Sequence, residues 1–353
     1  MKNLKLLIVI SFLSTTIVSF SQDEINVGDS TALDGMKAQE LYNSGISKFN
    51  AKDLQGAMND FNEAIKLAPN FDKAYFNRGS LKYQLGDYKE AIVDFNKVIE
   101  LNPDSNKAHF IRGRSYQELN NQEQALKDFN NAIRIDNKNA QAYYYRGGMY
   151  FLNKEYKEAI SDYSNAIKSK PNYAYAYNDR GSAKRQLKNI IGAIKDYKKA
   201  ILVDKTLAFV YNNLGSALRV NEQYSEAIKN YNKAILLKKD YHIAYNNRGL
   251  AKFEKGDNNG AIEDYSNAIK LKANYAYAYN NRAAAKFNLK NYKGSVADCN
   301  KAIVLDASYA AAYLNRGIAR EMLRQDVKAC EDWNKAASLG LKNGKTFAQQ
   351  TCN

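Results

Sequence analysis

Prolines number three, histidines two, cysteines three and tryptophans one in a chain of 353 residues. Scarce proline removes the strongest helix breaker, while 27 tyrosines and many alanines supply rings and good helix formers. Composition therefore points to an almost wholly helical chain. His109 and His242 stand far apart in the sequence, and no His/Cys group has the spacing of metal ligands. A phosphate-cradling glycine loop and a serine-nucleophile motif are both missing. These absences argue against an enzyme, and no catalytic residue, cofactor or metal is expected.

Long apolar runs are also scarce. The one present, Leu6–Phe20, follows Lys2 and Lys5 and is too short to span a bilayer comfortably. Ser19 and Ser21 place small residues at the cleavage positions before Gln22. Residues 1–21 are read as a secretory signal peptide cleaved near Ser21, with an uncleaved anchor as the alternative. Export to a periplasm or the exterior follows, free or associated with an envelope complex, with no transmembrane segment left after cleavage. Removing residues 1–21 takes two lysines and no acid, so the formal net charge falls from +15 to +13. So basic a surface attracts anionic partners and says nothing about fold. Residues 22–37 are polar and acidic without helical period, and read as a flexible leader. Nothing bears on oligomeric state.

Beyond the leader the chain repeats itself. Gly45, Gly79, Gly113, Gly147, Gly181, Gly215 and Gly249 are each 34 residues apart, and Ala283 and Gly317 continue the series. With this residue as position 8, nine repeats follow without insertion: 38–71, 72–105, 106–139, 140–173, 174–207, 208–241, 242–275, 276–309 and 310–343. Position 20 is alanine except for Ser295, and position 27 is alanine except for Val98. Position 24 is aromatic except for Cys299, and the three prolines, Pro69, Pro103 and Pro171, all fall at position 32. This pattern resembles the tetratricopeptide repeat family, whose 34-residue helix–turn–helix carries W-x2-L-G-x2-Y, then A-x3-F, then P. Tyrosine at position 4 and arginine at position 7 depart from it. The resemblance implies an all-α solenoid, a right-handed superhelix of antiparallel helix pairs whose A helices line an inner groove. Helix A covers roughly positions 2–14 and helix B roughly 18–30.

Charges recur in step. Position 7 and position 23 read Arg78/Asp94, Arg112/Asp128, Arg146/Asp162, Arg180/Asp196, Arg248/Asp264, Arg282/Asp298 and Arg316/Asp332. Both charges vanish together in the sixth repeat, as Leu214 and Asn230, while the first has Ser44 and Asp60. Paired loss predicts a structural ion pair from helix A to helix B of the same repeat. An anion-binding arginine ladder is the functional alternative. Acidic residues at these periodic sites read as solvated faces and seams, and the worth of each pair depends on its burial.

Positions 2, 5, 6, 9, 12 and 13 face the groove in this family. Here they offer aromatics early (Tyr144, Phe151) and amides later (Asn178, Asn212, Asn213, Asn246, Asn247, Asn280, Asn281), with Arg185 and Arg219 at position 12. Tyr175, Phe209 and Tyr277 lie at position 2. Asparagine is a mediocre helix former, so its persistence needs a reason. A row of amides could bind an extended peptide backbone. Duplication is the other reading, with the amides bonding water or the first helical turn; the rings could instead pack between repeats. No repeat has the Lys/Asn pair of the family's carboxylate-binding domains.

Cys299 replaces a ring at position 24 and reads as a buried small hydrophobe. Cys330 and Cys352 are the candidate disulfide, stapling a C-terminal cap over residues 344–353; free thiols, or a bridge to Cys299, are the alternatives. The chain thus reads as a non-catalytic exported scaffold that binds a protein or peptide in its groove. The alternative partner is an anionic polymer, an acidic glycan before nucleic acid; no specific nucleic-acid recognition is expected.

Overall fold

The computed structural model describes residues 30–352. Within them lie nineteen α-helices and no strand. The pairs are α1 (Ser30–Asn50) and α2 (Leu54–Leu67), α3 (Asp72–Leu85) and α4 (Tyr88–Leu101), α5 (Asn106–Glu118) and α6 (Gln122–Ile135), α7 (Ala140–Leu152) and α8 (Tyr156–Ser169), and α9 (Ala174–Gln186) and α10 (Ile190–Val203). They continue with α11 (Ala208–Val220) and α12 (Tyr224–Leu237), α13 (His242–Glu254) and α14 (Asn258–Leu271), α15 (Ala276–Asn288) and α16 (Tyr292–Leu305), α17 (Ala310–Glu321) and α18 (Asp326–Ser338), and end with α19 (Lys342–Thr351). Odd-numbered helices to α17 are the A helices and even-numbered ones the B helices. Two compact units divide after Met149.

Each A helix ends in the same way. The residue at position 15 is left-handed in all nine repeats, with φ between +57° and +92°. Only Gly86 and Gly256 take this conformation freely; Lys188, Glu222, Lys290 and four others carry a Cβ into it. The backbone N–H of the next residue donates to the carbonyl five back, as from Asn189 to Lys184 (2.9 Å), which stops the helix. That next residue also starts helix B. Asp53, Asn121, Asn189, Asp257 and Asn291 each accept from the N–H three residues on.

The two helices close on position 8. A Cβ added to Gly249 would lie 2.7 Å from the Tyr265 ring at position 24. Only glycine admits the ring there. The eighth repeat keeps the fit the other way round: Ala283 replaces the glycine and Cys299 replaces the ring, both fully buried. In the N-terminal unit Phe61, Phe95 and Phe129 fill this place, and in the C-terminal unit Tyr197, Tyr231, Tyr265 and Trp333 do.

Both ends differ from the sequence reading. α1 begins at Ser30, so residues 30–37 are helical where a flexible leader is expected. Once the first repeat nucleates helix A, extension toward the N-terminus costs little, and nothing in 30–37 breaks it. Leu33 and Met36 are exposed there. Residues 22–29 and the signal segment 1–21 lie outside the described residues. At the other end α19 starts at Lys342, two residues before the expected cap. Phe347 stacks on Trp333 at 5.3 Å, and Cys330 and Cys352 are bridged, with Cα atoms 5.6 Å apart. Cys299 is the free cysteine, and burial, with Asp298 beside it, pushes its thiol up to about 12.

Two outcomes follow from these ends and turns. Lys188→Gly relieves the left-handed strain at an exposed turn and raises unfolding free energy by about 0.5–1 kcal/mol in urea titration. A thiol assay finds none reactive in the native oxidised protein at pH 8 and one after denaturation. Reduction then exposes three, and removes about 3 kcal/mol from the end that the 22-residue loop closes.

Candidate binding groove

In the motif "YNNRG" of the seventh repeat, Tyr245–Gly249, every letter has a partner inside the fold. Tyr245 lies under the guanidinium of Arg248, 5.3 Å from ring centroid to Cζ. The same stacking recurs at Tyr75/Arg78, Tyr143/Arg146, Tyr177/Arg180, Tyr279/Arg282 and Tyr313/Arg316. Tyrosine at position 4, a departure from the family pattern, is thus a platform for the arginine at position 7.

Arg248 donates from Nε to Asp264 of its own repeat at 2.9 Å. Its Nη1 donates to Asn232 on the B helix of the preceding repeat at 2.7 Å. Lys252, one turn further along α13, adds a second cation to Asp264 at 3.0 Å. Arg78/Asp94, Arg112/Asp128, Arg180/Asp196, Arg282/Asp298 and Arg316/Asp332 repeat the intra-repeat bond. The backward reach recurs from Arg78 to Asn62, Arg112 to Asn96, Arg146 to Asn130, Arg180 to Ser164, Arg282 to Ser266 and Arg316 to Asn300.

The expectation of a solvated seam is corrected. Asp94, Asp128 and Asp332 are buried rather than solvated, at 0%, 1% and 2% exposure, and Asp162, Asp196, Asp264 and Asp298 are buried with them. The reason is that position 23 faces helix A beside the close approach at position 8, where no room is left for water. A Cβ added to Gly79 or Gly113 would lie 3.0 Å from the Cβ of Asp94 or Asp128. Further protein groups meet several of these carboxylates instead. Lys82 reaches Asp94 at 2.9 Å, His109 lies 3.3 Å from Asp128, and Arg320 reaches Asp332 at 2.8 Å. In the first repeat Ser44 and Lys48 bond Asp60. Burial alone would raise the Asp60 carboxyl, but these bonds hold it below the usual carboxylate range. The arginines of the seam therefore serve the scaffold, with their guanidinium groups engaged by protein acceptors.

The sixth repeat shows the seam without charge. Leu214 and Leu218 are buried at positions 7 and 11, and Asn230 turns its amide to the Glu226 carbonyl. Beside them a cleft of about 550 Å³ opens, lined by residues that include Lys198, Leu218, Glu226, Asn230 and Lys255.

The amide row is corrected too. Asn178, Asn212, Asn246 and Asn280, at position 5, are buried rather than presented to a ligand or water. Each accepts from the Nδ2 of the asparagine at position 6 of the next repeat: from Asn213, Asn247 and Asn281 at 3.0 Å, and from Asn315 at 2.9 Å. Partners lie 35 residues apart, so consecutive A helices are tied edge to edge. A buried amide carbonyl is costly unless bonded, which is why the two positions carry asparagine together. Asn77 donates to the Tyr42 hydroxyl in the same register, and Phe110 meets Tyr145 there at 5.8 Å as an aromatic version. Recurrence at a spacing of 35, alongside the period of 34, was the available signal.

The remaining candidates divide. Tyr144 is buried, edge-on to Tyr145, so it packs rather than lines a groove. Phe151 is half-buried against Tyr156 at 5.4 Å. Arg219 is ion-paired with Glu254, again 35 residues on. Arg185 is half-buried near Tyr197. The A helices of the C-terminal unit also turn position 2 outward, with Tyr175, Phe209, Ile243 and Tyr277 there. Tyr175 and Phe209 stack at 5.8 Å, Ile243 is 37% exposed, and Tyr277 is 53% exposed against Tyr309 at 5.0 Å. This apolar rail lies one helical turn before the amide ladder. Among the described residues, no three His, Cys, Asp or Glu side chains gather as a metal site, and no helix is long and apolar enough to cross a membrane.

Comparison with known proteins supplies context for this geometry. Tetratricopeptide repeat models match residues 72–105, 110–174 and 174–206, and a TPR repeat model matches 215–256 and 249–290. No curated protein matches significantly. Among solved structures, the APC/C hetero-tetramer Cut9-Hcn1 is similar at 14% identity with a TM-score of 0.57, over 90% of this chain and 76% of that one. PilF of Pseudomonas aeruginosa is similar at 19% with a TM-score of 0.53, over 59% of this chain and 94% of that one. These two likenesses show a shared fold. YrrB, a TPR protein described as having an unusual peptide-binding site, overlaps at 21% with a TM-score of 0.47, over 52% of this chain and 95% of that one.

Two substitutions separate the ladder and the seam from the groove. Asn247→Leu strands the buried Asn212 carbonyl and costs about 1–3 kcal/mol in chemical denaturation. Arg248→Leu leaves Asp264 with one cation and costs about 3–5 kcal/mol. Adding Asp264→Asn and Lys252→Leu, which copies the sixth repeat, restores part of that loss; a purely additive result would mean the groups act independently.

Proposed function

The chain belongs to the tetratricopeptide repeat family, and from that premise we propose that it is a non-catalytic scaffold holding an extended polypeptide along the A helices of its C-terminal unit. One observation carries the reading: Tyr175, Phe209, Ile243 and Tyr277 form a half-exposed apolar rail, one residue per repeat, on successive A helices. Rails of this kind suit a partner that presents side chains at regular intervals. Aromatic rings contribute large contact areas with few rotatable bonds. The amide ladder beneath is rigid and already satisfied, so it sets the spacing of the rail rather than competing for the ligand. Export through residues 1–21 belongs to the same proposal and rests on the basic start and apolar run of the sequence.

The test is capture of partners from the exported fraction by wild type and by a Tyr175→Ser, Phe209→Ser, Tyr277→Ser variant. Wild type retains a defined polypeptide set in moderate salt, and the variant loses it with its thermal midpoint nearly unchanged. Identical partner sets would remove the rail from the binding site. Binding that moderate salt abolishes, and that ignores the rings, would favour an anionic polymer instead.

A further inference from the structure

The outer sides of two B helices carry a pattern found in no other repeat. Positions 22, 26 and 29 lie along one stripe of a helix. In α10 they are Lys195, Lys199 and Leu202; in α12 they are Lys229, Lys233 and Leu236. All six are exposed, and Leu202 and Leu236 are 67% and 65% exposed. Ile191 extends the stripe on α10 at 66% exposure, and Lys198 flanks it beside the cleft of the sixth repeat. Elsewhere these three positions never combine two lysines with an aliphatic residue. The seventh repeat places Glu263 at position 22, which ends the pattern.

Aliphatic tips set among lysines suit a lipid surface whose headgroups are anionic. The leucines enter the acyl boundary, and the lysines lay their stems along it with ammonium groups at headgroup level. Arginine and aromatic residues, which dominate protein–protein hot spots, are missing from the stripe. Its acidic neighbour Glu226 is ion-paired with Lys229 at 2.7 Å, so the local excess is cationic. Buried Asp196 is compensated from within by Arg180 and Lys184 and adds no repulsion toward a lipid phosphate. We propose that the α10–α12 face is a docking surface for anionic phospholipid, on the B helices, while the A helices hold the polypeptide partner.

The test is flotation of the full chain with vesicles of phosphatidylcholine alone or with 30% phosphatidylglycerol. The readout is the anionic-to-neutral binding ratio, in which binding common to both vesicles cancels. Wild type gives a ratio well above one. Charge reversal at Lys195, Lys199, Lys229 and Lys233 lowers anionic-vesicle binding by about 100-fold or more, since each lysine near such a surface is worth about fivefold. A control with the same change of charge in the N-terminal unit, at Lys52, Lys107, Lys127 and Lys138, changes it by less than about threefold, because screening confines the attraction to lysines at the contact. A wild-type ratio near one overturns the proposal and leaves an acidic protein as the occupant of the stripe. Equal loss in the control also overturns it, by showing attraction to net charge alone. All the substituted side chains are exposed, and circular dichroism checks that each variant is folded.

Discussion

A carboxylate buried between two helices is the constraint on which the seam depends. Asp264 and its equivalents have almost no exposed surface, so each must be met by cations and donors inside the fold. Arginine at position 7 meets it with a planar fork, and the same fork reaches the preceding repeat at position 25. Tyrosine at position 4 then stacks under the guanidinium. One buried charge thus fixes the angle between the helices of a repeat, the contact with the neighbouring repeat and the identity of a third residue. Lysine at position 11 completes neutralisation in several repeats.

Where the array departs from its pattern, the departure is compensated at the contacting position. Leu214 and Leu218 replace two cations where Asn230 replaces the acid. Ala283 replaces glycine where Cys299 replaces a ring. Both exchanges keep volume and polarity matched across the A–B contact, because a close-packed interface tolerates neither a void nor a lone charge. The sixth repeat also carries a cleft, lined in part by Leu218 and Asn230.

These features shape how the surfaces divide. Side chains that looked like contacts for a ligand are largely consumed by repeat-to-repeat bonding. The apolar rail at position 2 and the stripe on α10 and α12 remain on the outward surface. Both belong to the C-terminal unit, and they lie on different helices of each pair.

The sequence by itself determined the period, the helix pairs and the Arg–Asp partnership. Those are legible because both members of each contact sit in one repeat, and a change in one is answered within 34 residues, as Leu214 with Asn230 shows. The depth of that seam was not legible, since Asp94 or Asp332 on a helical wheel reads the same whether water or a neighbouring backbone lies opposite. The left-handed residue at position 15 was only half legible, since two repeats have glycine there and seven do not. Tertiary structure alone decided the fate of the asparagines. A helical wheel gives the direction in which Asn247 points, but not that Asn212 of the preceding repeat lies there with its carbonyl buried. Two amides that satisfy one another across a helix interface have the same composition as two amides waiting for a peptide. Only the packing of one A helix on the next removes the water that would otherwise make them equivalent.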